Sequence, residues 1–169
     1  MRASTPITEF DDRFSHPEAR ALPWAETEAA LGRAELYWIT TVRANGRPHV
    51  VPLIGLWHEG GFIFCTGLTE QKYRNLEHHR GVAVTTGANR WASGLDVVVE
   101  GDATRVVGAN VLSTLATAYF DKYGEEWRLE PGDDCFNPTD GPAAVFLVSP
   151  TKVLAFAKDP HGQTRYLFT

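Results

Sequence analysis

Short runs of β-branched and aromatic residues, separated by turn residues, set the pattern of the first half of the chain. ELYWITTVRA (35–44) and RPHVVPLIGLW (47–57) are two such runs, and Asn45-Gly46 lies between them. Asn-Gly favours a tight hairpin because both central turn positions need positive φ. A third run, GFIFCTG (61–67), follows after another short turn. We therefore predict a meander of three antiparallel strands.

Strands also dominate the second half. GVAVTTG (81–87) and LDVVVEGDATRVV (95–107) are β-rich, and the second run alternates as expected when one face is buried. Gly101 within it indicates a bulge or a sharp bend. Residues 143–168 predict two or three more strands, broken at Ser149-Pro150 and again at 159–162.

Three segments have helical periodicity. Residues 24–31 follow Pro23 and end at Gly32, and residues 109–124 form an amphipathic stretch that ends in Gly124. Between the third and fourth strands, LTEQKYRNLEHHR (68–80) predicts a helix of about ten residues, with Thr69 as its cap.

Six to eight strands in hairpin order, with helices inserted between them, predict a mainly β fold: a closed or nearly closed antiparallel barrel. A β-sandwich with two helices is the alternative. A chain of 169 residues suits one compact domain. We assign residues 1–22 to a surface arm and residues 23–169 to the barrel.

Composition narrows the range of functions. No apolar run reaches the length of a membrane span and the start of the chain lacks a secretory pattern, so we expect a soluble, cytoplasmic protein with no membrane partner. A net charge of -5 disfavours binding to nucleic acid. Cys65 and Cys135 are far apart and in no ligand spacing, so we expect reduced thiols and no metal site.

The segment FCTGLTEQKYRNLEHH carries the clearest candidate for chemistry. A strand ends at Thr66-Gly67, and a helix with Lys72 in its first turn begins soon after. Unpaired amides at a helix start favour an anion, and Lys72 adds a positive charge, so this segment is a candidate phosphate site. The alternative is that Thr69 only caps the helix and Lys72 is a solvated surface charge.

Together, RANGRPHVVPLIGLW, FIFCTGLTEQKYRNLEHH, VAVTTGANRW and LDVVVEGDA resemble the pyridoxamine 5′-phosphate oxidase-like superfamily. Its members are split β-barrel dimers that bind FMN or the deazaflavin coenzyme F420. The resemblance covers about residues 24–168 and is greatest to the flavin/deazaflavin oxidoreductase group. It implies an FMN-binding type of split barrel, and a homodimer with the cofactor site between its subunits.

The resemblance also implies which residues contact the cofactor. The edge of the ring would lie along Val50, Val51, Pro52, Leu53, Ile54 and Gly55, mainly through backbone groups. The phosphate contacts would come from Thr66, Gln71 and Lys72, with Asn75 close behind. Asn89 and Arg90 belong to a region that crosses to the neighbouring subunit's cofactor. Arg90 would pair there with phosphate or with the acidic tail of the deazaflavin; the alternative is an Arg on a solvated loop, with Trp91 as the interface anchor. Asp96 is a candidate acceptor for a ring nitrogen.

One departure bears on the choice of cofactor. Relatives that oxidise pyridoxamine phosphate have an Arg-Lys pair where this chain has Gln71-Lys72, so one fixed charge is missing. The resemblance therefore favours coenzyme F420, with FMN as the alternative cofactor. The expected activity is hydride transfer from reduced deazaflavin to an unsaturated or conjugated small molecule, with no assignable catalytic side chain. The competing hypotheses are an FMN-dependent oxidase or reductase, and a non-catalytic carrier of deazaflavin, flavin or heme.

Overall fold

The computed structural model describes residues 5–137, 139 and 141–169. Residues 1–4 of the predicted arm lie outside this range. Within it, the strands are β1 (Ile7–Phe10), β2 (Tyr37–Val42), β3 (Pro48–Leu53), β4 (Leu56–His58), β5 (Gly61–Gly67), β6 (Gly81–Thr86), β7 (Leu95–Val106), β8 (Ala143–Lys158) and β9 (His161–Leu167). The α-helices are α1 (Trp24–Arg33), α2 (Gln71–Leu76) and α3 (Ala109–Tyr123).

The strands close into an antiparallel barrel, so the predicted fold class is confirmed. The main path of the sheet runs β1-β9-β8-β7-β6-β2-β3. β3 then continues through Ile54 and Gly55 into β4, which pairs with β5, and β5 pairs with β8. The barrel is therefore a closed circuit, which starts at β8, passes through β7, β6, β2, β3, β4 and β5, and returns to β8. β9 and β1 extend the sheet beyond the barrel.

The Asn45-Gly46 hairpin is confirmed. β2 and β3 pair in register from Tyr37 opposite Leu53 to Val42 opposite Pro48. Gly46 has φ of 81° and donates its N–H to Arg43 O at 2.8 Å. This hairpin places β3 at one end of the main sheet path, where one backbone edge has no strand partner among the described residues.

The predicted irregularity at Gly101 is also confirmed, and it explains why the predicted break at Ser149-Pro150 is wrong. The register between β7 and β8 shifts at Glu100/Gly101, and Gly101 lies opposite Pro150. Proline has no N–H to donate, and a bulge is a position at which a strand tolerates this loss. β8 therefore runs unbroken through both residues.

Replacing Gly101 tests how tightly the two strands approach. A Cβ at this position would lie 2.1 Å from the backbone oxygen of Ser149, so Gly101→Ala must displace backbone. We expect a loss of about 2–4 kcal/mol in the free energy of unfolding, measured by urea denaturation. Gly81→Ala is the matched control, because its Cβ would meet nothing closer than 3.9 Å. Equal stability of the two variants would contradict this account.

Several boundaries differ from those predicted. β1 lies within the predicted arm and pairs with β9, which joins that part of the arm to the sheet. The run at 47–57 divides into β3 and β4, since the chain turns at Ile54-Gly55. These two differences raise the number of strands to nine among the described residues. None of the described helices is long and apolar enough to cross a membrane.

Two apolar clusters stabilise the fold. The barrel interior is filled by inward-facing side chains, among them Tyr37, Ile39, Phe62 and Val99. A second cluster packs α3 against β4 and β5. Burial of both clusters is the main favourable contribution to folding. It fixes β3 and β5, the strands that lead to the candidate site.

Candidate functional site

At the junction of β5 and α2, Glu70 forms an ion pair with a buried cation. The carboxylate of Glu70 accepts from Gly67 N–H at 2.7 Å and from the Lys72 ammonium. Burial of Glu70 opposes its ionisation, but the hydrogen bonds from Lys72 and Gly67 outweigh burial and hold its pKa below the usual range. Glu70 was not among the residues predicted from sequence. This junction therefore already binds an anion, supplied by the chain itself.

The structure excludes one of the two interpretations of Lys72, and the binding of a phosphate there stays a prediction. Lys72 is only 8% exposed and is the one buried charged residue among those described, so it is not a solvated surface charge. The predicted cap at Thr69 is wrong: α2 starts after Glu70, and no side chain caps it. α2 has six residues rather than about ten, and beyond it the amides of His78 and His79 both donate to Asn75 O.

The other predicted phosphate residues form hydrogen bonds within the chain. Gln71 Nε2 donates to Asn75 Oδ1 at 2.8 Å, and Asn75 Nδ2 donates to Thr41 Oγ1 at 2.8 Å. Thr41 Oγ1 in turn lies 3.5 Å from His49 Nδ1. Burial, together with the nearby cations Arg43 and Lys72, lowers the pKa of His49. This polar chain couples α2 to β2 and β3.

Thr66 is buried, and its hydroxyl donates to Gly67 O at 3.4 Å.

The predicted ring-contacting segment has two kinds of side chain. Val50 and Pro52 face outward, whereas Val51 and Leu53 turn towards the barrel core. Ile54 packs against the cluster beneath α3. Gly55 is fixed by close packing, since a Cβ there would lie 2.3 Å from the Phe62 ring. One backbone edge of β3 and the side chains of Val50 and Pro52 are thus the parts of this segment that a ligand can reach.

Sequence reasoning missed two residues that hold the end of this segment. Lys122 Nζ donates to Gly55 O at 3.0 Å, and the Tyr123 hydroxyl accepts from Gly55 N at 3.2 Å. Lys122 also donates to the Tyr37 hydroxyl at 3.0 Å. Burial lowers the pKa of Lys122 to about 8. The only signal in the sequence is a Lys-Tyr pair at the end of α3, which is ordinary for a helix C-terminus.

The loop between β6 and β7 carries the remaining predicted residues. Asn89, Arg90 and Trp91 are all exposed, and Asn89 has φ of 48°. Asp96 forms an ion pair with Lys158 at 2.8 Å instead of presenting a free carboxylate. The contact of these residues with a cofactor stays a prediction.

The predicted site residues fall into two groups, which lie near opposite ends of β2. α2 is bonded to β2 at Thr41, whereas the end of β6 is bonded to the chain just before β2, through Thr86 Oγ1 and Leu36 O at 2.9 Å. Five residues of extended chain span about 17 Å. Lys72 and the loop that carries Arg90 therefore lie towards opposite ends of β2 within this chain.

An open cavity of about 670 Å³ lies at the loop end and not beside Lys72. α1 contributes Glu26 and Arg33 to its wall, and the end of β8 contributes Lys158. Cys65 offers no nucleophile in the described region around α2, because burial raises the pKa of its thiol to about 11. As predicted, Cys65 lies within a strand, and both cysteines are free.

The profile of the pyridoxamine 5′-phosphate oxidase family matches residues 23–157, which is most of the chain. The chain belongs to the pyridoxamine 5′-phosphate oxidase family. The match includes β3, β5, α2 and the β6–β7 loop, and thus every residue predicted to contact a cofactor. No curated protein matches the chain significantly.

Solved structures share this family's barrel at low sequence identity. A conserved hypothetical protein, Rv2991 of Mycobacterium tuberculosis, is 16% identical with a TM-score of 0.68, covering 89% of this chain and 90% of that one. The heme storage protein HutZ of Vibrio cholerae is 17% identical with a TM-score of 0.61, covering 79% and 93%.

A third structure is a pyridoxamine 5′-phosphate oxidase-related, FMN binding protein of Nostoc punctiforme. It is 15% identical with a TM-score of 0.58, covering 88% of this chain and 92% of that one. At these identities the three likenesses show the fold alone.

Proposed function

We propose that this chain is a flavin-binding oxidoreductase that holds the cofactor's phosphate at Lys72. The proposal rests on one observation: Lys72 and Gly67 N–H already bind an anion, which is the carboxylate of Glu70. Carboxylate and phosphate oxygens accept from the same cationic and backbone donors. The donor set thus fits a phosphate, and Lys72 occupies the position that the family resemblance assigns to phosphate contact.

The hydrogen-bonded chain behind Lys72 orients the rest of the site. Asn75 and Thr41 are buried, and they link α2 to the strand beside β3. A phosphate at Lys72 would place the remainder of the cofactor along the free edge of β3, beside Val50 and Pro52. Lys122 and Tyr123 hold the far end of that segment at Gly55.

A bound flavin supplies the redox chemistry, so the chain's own residues need only bind, orient and exclude water. Lys72 would neutralise the phosphate and β3 would align the ring. The cavity at the loop end is large enough for a small-molecule substrate. A reaction of this kind needs no acid–base dyad.

We further propose that the site is completed by a second copy of the chain. The register of the strands places a set of partly or well-exposed apolar side chains on the outer face of the barrel sheet: Trp38, Val50, Pro52, Val98, Leu154 and Phe156. We call this set the outer sheet face. A contiguous exposed apolar surface is typical of a protein–protein interface. The exposed Arg90 and Trp91 would then reach the partner's cofactor.

FMN and coenzyme F420 differ in how well the charge of their phosphate matches the single cation Lys72. The family match and the Nostoc FMN binding protein favour FMN. Gln71, which replaces a second fixed charge, favours coenzyme F420, because its phosphodiester carries one negative charge and the phosphomonoester of FMN carries close to two. FMN is the leading candidate, and F420 is the second.

Absorption and fluorescence titrations of the ligand-free protein with FMN, F420 and heme test the proposal. We expect saturable binding of FMN or F420, followed by turnover of the reduced cofactor with an enone or quinone acceptor. Flavin binding without turnover across a panel of acceptors would make the protein a carrier. Binding of heme alone would overturn the proposal in favour of heme storage.

A further inference from the structure

Lys72 and Glu70 differ in how firmly they are held. The Lys72 side chain is 10% exposed, whereas the Glu70 side chain is 48% exposed. Glu70 precedes α2 with extended backbone angles, φ of -71° and ψ of 151°. Its backbone is fixed by bonds to Gly67 O at 3.1 Å and from Arg74 N at 3.2 Å. A rotation of the side chain alone can therefore move the carboxylate into solvent while Lys72 and α2 stay in place.

The carboxylate fills the space in front of Gly67. A Cβ on Gly67 would lie 3.2 Å from Oε1 of Glu70, so the glycine is what lets an oxygen approach this closely. Both oxygens of Glu70 are in use, one on Gly67 N–H and the other on Lys72. An incoming phosphate oxygen that uses either donor must displace Glu70 or lie beside it.

We propose that Glu70 is a specificity-determining residue, which occupies the phosphate position in the ligand-free chain and is displaced when a phosphate-bearing cofactor binds. This inference rests on the proposed function and deepens it. The displaced carboxylate gives up the donors that bind the phosphate, and its charge stays only two residues from Lys72. Glu70 therefore weakens binding of the cofactor's phosphate, and a dianionic phosphomonoester is penalised more than a phosphodiester.

The test compares FMN with riboflavin, which has the same ring and no phosphate. Affinities are measured by fluorescence titration for the wild type and Glu70→Gln, with Glu77→Gln as the matched control. Glu77 is exposed at the other end of α2, so its variant loses the same charge. We expect Glu70→Gln to bind FMN about tenfold more tightly and riboflavin within about twofold of the wild type. Glu77→Gln should change neither affinity.

Two results would overturn the inference. Weaker FMN binding by Glu70→Gln would mean that Glu70 supports the site rather than competes for it. Equal changes for FMN and riboflavin would mean that the residue acts on the ring or on the fold. Circular dichroism verifies folding, and Glu70→Ala replaces Glu70→Gln if that variant does not fold.

Inorganic phosphate separates this inference from the proposed function. At matched ionic strength in chloride, phosphate should raise the thermal midpoint of Glu70→Gln more than that of the wild type or Glu77→Gln. That result without any flavin binding would overturn the proposed function and support the role of Glu70. Flavin binding with no difference between Glu70→Gln and the wild type, for either ligand, would support the proposed function and overturn the role of Glu70.

Discussion

Lys72→Ala is expected to weaken FMN binding by about 10- to 100-fold. A hydrogen bond from a charged donor contributes about 1.5–3 kcal/mol, and each 1.4 kcal/mol is about a factor of ten in affinity. Lys72 is the one buried charged residue among those described, and no other cation is bonded at this junction of β5 and α2 within the described chain. Its removal leaves a phosphate with a single backbone donor.

The fold should survive this substitution. Leu76 packs into the barrel core, and Asn75 bonds to Thr41, so α2 keeps both of its anchors. Glu70 loses its partner, but its half-exposed side chain can turn to solvent. Riboflavin affinity should therefore change little, since riboflavin lacks the phosphate.

Arg74→Ala is the matched control, because it removes an exposed cation from the same helix. It should leave FMN affinity within about twofold, as expected for a screened surface charge. Isothermal titration calorimetry measures both variants. If Lys72→Ala and Arg74→Ala weakened FMN equally, Lys72 would act only through net charge, and the proposed phosphate site would be wrong.

Features that one or two residues impose on their own backbone could be predicted from the sequence. Asn45-Gly46 requires positive φ, and the hairpin forms where these residues lie. Gly101 marks the register shift of β7, because only glycine permits the close approach of Ser149 O. Such signals are local, so they do not depend on which elements pack against them.

Features that depend on a distant partner were not predicted. β1 has four residues, two exposed and two partly buried, and it becomes a strand only because β9 offers an edge. Pro150 reads as a break when taken alone, but in the fold it lies opposite Gly101, at the bulge. The identity of a long-range partner is not encoded in the local pattern.

The same limit applies to the candidate site. The motif placed Lys72 after a strand end, but its burial results from packing of α2 on β2, through the bond from Asn75 to Thr41. Its pairing with Glu70, two residues earlier, was not predicted because residues at this spacing do not face each other on a helix. The pair forms because Glu70 lies before the helix, with an extended backbone.

The double variant Trp38→Glu, Val98→Glu is expected to convert the proposed dimer into monomers and to abolish cofactor binding. In the single chain, Trp38 is 46% exposed and Val98 is partly exposed, so neither is needed in full by the protomer's core. Both lie on the outer sheet face, since Thr85 pairs with Trp38 on one side and with Val98 on the other, and neither is placed against the cofactor. The fold of the protomer should therefore tolerate both carboxylates.

A two-fold dimer uses the same surface on both copies, so the double variant would bring four new carboxylates into one apolar interface. Burying unpaired charges costs several kcal/mol for each ion, which exceeds what an interface of ordinary size can offset. The control is Val107→Glu, Val111→Glu, which adds the same charge at two exposed valines near the start of α3.

Sedimentation velocity gives the oligomeric state, and FMN titration gives the affinity of each variant. The control should stay dimeric and bind like the wild type, while the double variant on the outer sheet face should sediment as a monomer without bound cofactor. Loss of dimers with cofactor affinity retained would mean that one protomer forms the whole site, so that Arg90 and Trp91 do not serve a partner. Dimers that persist in both variants would place the interface elsewhere on the barrel, because the outer sheet face cannot bury four carboxylates unpaired.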